Sequence, residues 1–371
     1  MLSWQGMRQH SEYSDEAVRP HSTLRMRRRI VRETSSAALP SPHPLPPVRI
    51  RRRAFVAGLG AIACRSAFAQ PSLHTYRIGF LRIGTPPRSF IEPFRQGLSE
   101  LGYVEGKNLV IEFEAATTAE QLPEAAAKLV SKNVHLIVAS GAAAVLPAWH
   151  ASGTIPIVFV AGIDPMAAGL ASGGLAQHSS NVTGLTTVQI DLTAKRIELL
   201  KEMLPALQRI AFLIRDGNPG CADYVREAKK ATTALGLKLD VISVRSRTDL
   251  DGAFESIRAL GADAIVPMDD SVFTEARRQI VELANHYRLP GIYPTREFVE
   301  EGGLLSFGPN YSAVFRRAAA LVDKIMKGVR PADLPIEQPT TFEIVVNIST
   351  SNALQLEIPL SILVRADELM E

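Results

Sequence analysis

The chain has 371 residues and a formal net charge of +3. That charge is unevenly placed. Residues 1–69 hold twelve Arg, no Lys and four acids, whereas residues 70–371 hold 29 basic and 34 acidic side chains, a net of −5. The basic excess belongs to the start of the chain, and the body has no Lys/Arg stripe, which argues against nucleic acid as a partner.

The chain opens on a segment unlike the rest. Residues 1–47 are Arg-, Ser- and Pro-rich and end in Pro40-Ser41-Pro42-His43-Pro44-Leu45-Pro46-Pro47; such a composition cannot bury a core. Arg51-Arg52-Arg53 then precedes the apolar stretch Ala54–Ala63, and Ala67-Phe68-Ala69 follows. This is a basic n-region, an h-region and an A-x-A site, so cleavage is expected after Ala69. About ten helical residues span only ~15 Å, too short for a membrane anchor. Arg52-Arg53-Ala54-Phe55-Val56 resembles a twin-arginine signal. An n-region of about 50 residues is long, and initiation at Val48 or Met26 would give an ordinary leader. Ala61-Ile62-Ala63-Cys64 faintly resembles a lipoprotein box, with Ala61 where Leu is usual. Gly58-Leu59-Gly60-Ala61-Ile62-Ala63 fits G-x-G-x-x-A, but no strand precedes it, so it is not a dinucleotide fingerprint. No apolar run reaches the ~18 residues of a membrane span. Cys64 and Cys221 are the only cysteines, so the mature chain is expected to have one thiol and no internal disulfide.

From Tyr76 onward short apolar runs alternate with helical patterns. Strands are expected at 76–83, 109–115, 134–140, 155–161 and 181–188, with helices over 90–101, 119–132 and from about 142. After Asp191 the cycle restarts. Helices are expected over 194–204, 221–235, 249–260 and 273–288, and strands at 209–215, 238–244, 264–268, 291–294 and 304–307. Continuous apolar strands such as Leu136-Ile137-Val138 and Ile157-Val158-Phe159-Val160 belong to parallel sheets covered on both faces. Strand–helix alternation gives right-handed βαβ units. The tail adds a helix over 310–327, with Val314, Ala318, Leu321 and Ile325 on one stripe. A strand over 341–348 and a short helix over 349–354 follow. The expected architecture is α/β: two doubly wound parallel-sheet lobes joined by hinge crossovers. Lobe one is placed at 76–190 and 308–330, lobe two at 191–307 and 331–371, with 1–69 as N-terminal extension and signal peptide.

Several ordered segments carry a family resemblance. They are Phe94-Arg95-Gln96-Gly97-Leu98 with Leu101-Gly102-Tyr103-Val104-Glu105-Gly106-Lys107-Asn108, Ile155-Pro156-Ile157-Val158-Phe159 with Asp164-Pro165, and Asn181-Val182-Thr183-Gly184. Ala194-Lys195-Arg196-Ile197-Glu198-Leu199-Leu200, Tyr293-Pro294-Thr295-Arg296-Glu297-Phe298 and Gly302-Gly303-Leu304-Leu305-Ser306-Phe307-Gly308 continue the order, which Ala332-Asp333-Leu334-Pro335 and Gln338-Pro339-Thr340 complete. In this order they resemble the ABC-transporter substrate-binding proteins of the tryptophan/tyrosine-transport-like group, over about residues 76–371. The resemblance implies a type I periplasmic-binding fold. It also implies an exported, periplasmic monomer, sent out by the twin-arginine or Sec route, that passes a small solute to a permease and an ATPase without a cofactor. Ser140-Gly141-Ala142-Ala143 stands where the family often has a Gly/Thr-Pro turn, and Arg215-Asp216-Gly217-Asn218-Pro219 where it often has Asn-Pro-Asn. Both departures bear on the solute.

In open α/β sheets ligands bind beyond the carboxyl ends of strands. Ser140, Gly141 and Ala142 lie at such an end, where a helix N-terminus suits a carboxylate; an ordinary N-cap is the other explanation. Asp164 is a candidate acceptor for an ammonium group, or an Asp-Pro turn. Asp216 and Asn218 could face the solute from the second lobe, or form a turn. Asp270, in Asp269-Asp270-Ser271, is a further candidate, or a helix cap. Tyr293 could stack on a planar ligand, or fill the core. Arg296 could pair with a ligand acid or with Glu297. Arg82, just before Ile83-Gly84, could also reach the cleft, but is expected on the solvated surface. There is no H-E-x-x-H, G-x-S-x-G, Walker A or C-x-x-C motif, and the histidines lack metal spacing, so neither a catalytic residue nor a metal is expected. Two other classes remain: an exported racemase- or lyase-like enzyme using Asp164 and Cys221, and a ligand sensor for a membrane receptor. Cys221 follows Gly217-Asn218-Pro219-Gly220 at a helix start, which favours a thiolate, but a small buried Cys is the commoner arrangement and the one expected.

Overall fold

The computed structural model describes residues 75–371 except 172–173 and 176–180. The expected leader, the expected cleavage after Ala69 and Cys64 lie outside the described residues.

Five strands, β1 (Tyr76–Ile83), β2 (Leu109–Ala116), β3 (Leu136–Ser140), β4 (Ile157–Ala161) and β5 (Val182–Thr186), form one parallel sheet in the order β2-β1-β3-β4-β5. Helices α1 (Arg88–Glu100), α2 (Leu122–Ser131) and α3 (Ala142–Ala151) connect the first four strands. β3, β4 and β5 are buried at every position. A strand covered on both faces gains from an unbroken apolar run, which is why these segments do not alternate. Each face of the sheet carries its own core. Phe80, Phe94 and Phe315 centre one, and Leu129, Ile137 and Phe159 the other.

The second half begins with α4 (Leu192–Met203) and β6 (Arg209–Arg215), followed by α5 (Cys221–Ala234), β7 (Lys238–Val244), α6 (Leu250–Leu260) and β8 (Ala264–Pro267). Next come α7 (Ser271–Glu275), α8 (Arg277–His286), β9 (Ile292–Tyr293), α9 (Arg296–Glu300) and β10 (Leu305–Pro309). The strand order is β7-β6-β8, and a bridge from Ile265 to Gly291 continues it towards β9 and β10. One core, from Ile197 through Phe212 and Phe254 to Val346, fills this half. The single helix expected over 273–288 is two. Asp270 caps the first by accepting from the Val272 N–H, and Ala276 then leaves helical geometry.

The tail crosses twice. α10 (Tyr311–Met326) packs on the first half: Phe315 stacks on Phe90 at 4.9 Å, and a Cβ at Gly97 of α1 would lie 2.9 Å from that of Ala319. The chain then stays there longer than expected. Glu337 takes a backbone bond from Thr186 and gives one to Gly184, and Leu334 and Ile336 join the first half's cores. Only then does β11 (Phe342–Asn347) return, pairing antiparallel with β10. α11 (Ile348–Leu354), α12 (Leu360–Leu363) and β12 (Glu368–Met370) finish the second half. The crossings therefore fall near residues 190, 310 and 341, not at 308 and 331. Backbone pairing decides this, because Gly308 and Pro309 are still paired within β10.

Gly184 marks where β4 and β5 meet most tightly. Its φ is +154°, and a Cβ would stand 2.2 Å from the Phe159 carbonyl oxygen. Gly184→Ala is expected to cost roughly 2–4 kcal/mol in urea denaturation; an unchanged midpoint would contradict this packing.

Candidate functional site

Because all strands of the first sheet run parallel, their carboxyl ends open on one side, and the second half meets them there. β1 ends at Ile83 and β3 at Ser140; Gly84 (φ +69°) and Gly141 (φ +92°) follow. Both glycines are pressed by α7. A Cβ on Gly141 would lie 2.1 Å from Ser271 Oγ, and one on Gly84 would lie 2.5 Å from Glu275 Oε2. The Thr85 N–H donates to Glu275 Oε2 at 3.0 Å, and Ser89 Oγ donates to the Glu297 carboxylate. The two halves are thus closed on one another.

The gap they enclose is a cavity of about 20 Å³, room for about one water molecule. From the first half come Arg82, Phe90, Ser140, Gly141, Ala142, Val160 and Ala161. The second half adds Asp269, Asp270, Ser271 and Thr274, and the α10 crossing adds Tyr311. No side chain caps α3, whose first residue is Ala142.

Two charges define the chemistry. Arg82 is 2% exposed, not on the solvated surface as expected. Its Nε donates to the Ile83 carbonyl at 2.9 Å, its guanidinium lies 5.7 Å from the Phe90 ring centre, and its Nη1 is buried without a hydrogen-bond partner. Among the described residues no carboxylate stands within 4.0 Å of it. Burial lowers its pKa to about 10, against the pull of Glu275, Tyr311 and Asp269, so it stays a cation at neutral pH. Asp269 is part-buried and its Oδ2 accepts from Tyr311 OH at 3.2 Å. Burial raises its carboxyl to about 6, helped by Asp270 and opposed chiefly by Arg196. A cation that lacks a partner and a carboxylate with one hydroxyl therefore share one small cavity.

The expected site residues divide. Ser140, Gly141, Ala142 and Asp270 line the cavity, but the Asp270 carboxylate is already spent. It accepts from Arg215 Nε, Asn218 Nδ2 and the Val272 N–H, each at 2.7 Å. Asn218 is likewise used up, on Asp270 and on the Gly220 N–H. Asp164 accepts from the Met166 and Ala167 N–H groups and faces a separate cavity of about 360 Å³. Asp216 is exposed, 3.5 Å from Arg245. Tyr293 is 1% exposed and stacks on Phe298 at 5.0 Å, because its side of β9 faces the core. Arg296 pairs outside the cleft with Glu300 and Glu368. The Cys221 thiol is pushed up by burial and by Asp216, which removes the thiolate. Sequence reasoning weighed Arg82 for the cleft but placed it on the surface, and passed over Asp269, Phe90 and Tyr311. Position after a strand end was a signal for Asp269, next to the chosen Asp270; nothing comparable marked Tyr311.

The fold and the site define a two-lobed binding protein, and the relatives agree. The family model described as "ABC transporter substrate binding protein" matches residues 89–370. The chain belongs to that family. A tyrosine-binding protein of Clostridioides difficile (strain R20291) is 24% identical over 266 residues, 71% of this chain and 76% of that one. A solved structure of a conserved domain protein from Vibrio cholerae has a TM-score of 0.74 at 26% identity, covering 80% of this chain and 99% of its own. An ABC domain in complex with L-Trp from Streptococcus pneumonia has a TM-score of 0.71 at 22% identity, covering 79% and 100%. The fold is of the type I periplasmic-binding kind. No helix among the described residues is long and apolar enough to cross a membrane.

A methyl on Gly141 would displace Ser271 Oγ in the closed state and strain a backbone held at φ +92°, which makes closure less favourable. Gly141→Ala is expected to enlarge the radius of gyration in small-angle scattering and to weaken solute binding at least tenfold. Scattering identical to the unaltered protein would contradict it.

Proposed function

We propose that this chain is the exported solute-binding component of an ABC importer, and that its solute is an amino acid held between the two halves. The observation that carries the reading is Arg82. A buried ion without a partner is costly by several kcal/mol, and a solute carboxylate would compensate it with charge-assisted hydrogen bonds. Ser140 and the uncapped start of α3 sit in the same cavity and favour the same group. Asp269, across the gap and bonded by Tyr311 OH from the first half's side, suits an ammonium group. The relatives named for tyrosine and crystallised with L-Trp support this solute class. The cavity is too small for an amino acid, so the halves must open to admit one and close again around it. Export through the twin-arginine or Sec route, cleavage after Ala69 and delivery to a permease and an ATPase complete the reading. Its support is the leader of the sequence and the family.

The test is thermal denaturation with the twenty amino acids. A solute at one hundred times its Kd should raise stability by about 2.7 kcal/mol. L-tyrosine or L-tryptophan is expected among those that shift the midpoint, and Arg82→Gln is expected to abolish the shift. A panel with no shift would sink the proposal.

The carboxylate of Asp269 also sets a pH dependence. It is faced by Arg82 from β1, Arg196 from α4, Tyr311 from α10 and its neighbour Asp270. Above pH about 6 it is ionised and attracts an ammonium. As pH falls through that value it is protonated and the attraction is lost, so affinity should decline below pH 6 by up to about tenfold per unit. Calorimetry from pH 7.5 to 5 would show this, and Asp269→Asn should flatten the curve. The same raised pKa means that, without solute, ionising Asp269 costs stability as pH rises towards 6.

A further inference from the structure

A second cavity lies on the other side of α7, and it has the size that the first one lacks. It measures about 390 Å³, within the range of small-molecule pockets. Ser271 and Thr274 of α7 line the central cavity, whereas Val272 and Glu275 line this one. β1 is shared in the same way, with Arg82 on one side and Ile83 and Gly84 on the other. Glu275, which lines this cavity, is also the side chain pressed on Gly84 between the two halves.

The walls are apolar where the halves meet and basic at the second half's edge. Ile83, Ala119 and Val272 form the apolar part; Arg215, Arg245 and Arg247 form the basic part. Glu120 and Glu275 also line it, leaving one positive charge in excess. Both carboxylates are engaged. Glu275 accepts from the Thr85 N–H, and Glu120 is kept ionised chiefly by a hydrogen bond with Thr118. The arginines are less fully used. Arg215 is 3% exposed and bonded to Asp270 and to the Asp216 carbonyl, but its Nη2 is buried without a hydrogen-bond partner. Arg247 bonds to the neutral Gln279 through Nε. Arg245 is highly exposed and only 3.5 Å from Asp216.

We propose that this cavity is the side-chain subsite of the solute, and that it selects an amino acid whose side chain has an apolar, ring-sized body and ends in an anionic group. The inference rests on the amino-acid reading above. Arg82 and Asp269 hold the amino-acid head in the central cavity. The body displaces Glu275 from Gly84 and lies along Ile83 and Val272. The anionic end meets the arginines, whose planar forks suit a carboxylate. An apolar amino acid fills the same space but leaves the guanidinium donors without an acceptor, which is the basis for discrimination.

The experiment is calorimetry on the mature chain with L-phenylalanine, L-tyrosine, L-tryptophan and 4-carboxy-L-phenylalanine as probes. The carboxylated probe is expected to bind about tenfold or more tightly than L-phenylalanine. That ratio should shrink as ionic strength rises, because Arg245 and Arg247 lie at the solvent edge. In the double variant Arg245→Ala, Arg247→Ala it should fall to about one. The proposal is overturned if the carboxylated probe binds no more tightly than L-phenylalanine, or if the ratio survives the double substitution. Binding of the three unmodified amino acids with no gain from the carboxylate overturns the subsite alone. Failure of all four probes overturns the amino-acid reading together with it.

Discussion

A guanidinium shut away from water with no carboxylate in reach is the constraint around which this molecule is organised. Arg82 sits at the carboxyl end of β1 in the first sheet, in a cavity walled by both halves. Beyond its bond to the Ile83 carbonyl, the face of Phe90 and the more distant pull of Glu275 and Asp269, no ion pair compensates its charge among the described residues. Closing the halves without an anion therefore carries a desolvation cost. Closing them around one removes much of it. A binding protein needs this asymmetry, since a ligand shifts an equilibrium only by its differential affinity for the two states.

The same cavity is wired to the crossings. Arg196 of α4 is buried and bonds to the Phe307 carbonyl at 2.7 Å and to the Gln189 side chain. Gln189, in the β5–α4 crossing, donates to Tyr311 OH at 3.2 Å. Tyr311, at the α10 crossing, donates in turn to Asp269 at 3.2 Å. Donors thus run from the hinge segments into the cleft and end on a carboxylate. In a low-dielectric interior such chains polarise one another. A hinge made of several crossings can then move as one unit, because its segments are bonded to each other and not only to their own half.

The elements themselves were legible. Short apolar strands alternating with amphipathic helices predicted the parallel sheets. They did so because a strand buried on both faces has no alternative composition. Ser140-Gly141-Ala142 was legible too, since a glycine between a strand end and a helix start has few other roles. Tyr293 and Arg296 went the other way. Tyr293 ends the two-residue β9 with its side chain in the core against Phe298, and Arg296 opens α9, where it pairs with Glu300 one turn on and with Glu368. Asp270 was chosen over Asp269 for want of any local difference; one carboxylate is consumed by Arg215 and Asn218, and the other is not.

The amino-acid sequence alone determined the α/β alternation, the second start after residue 190 and the family, because each is written in local composition or in segments close along the chain. Tertiary structure alone decided which charges meet. Arg82 and Asp269 are 187 positions apart, and Tyr311 is a further 42 away. Only the docking of one sheet's ends against the other, through two glycines without side chains, turns an expected surface arginine into a buried cation facing the cleft.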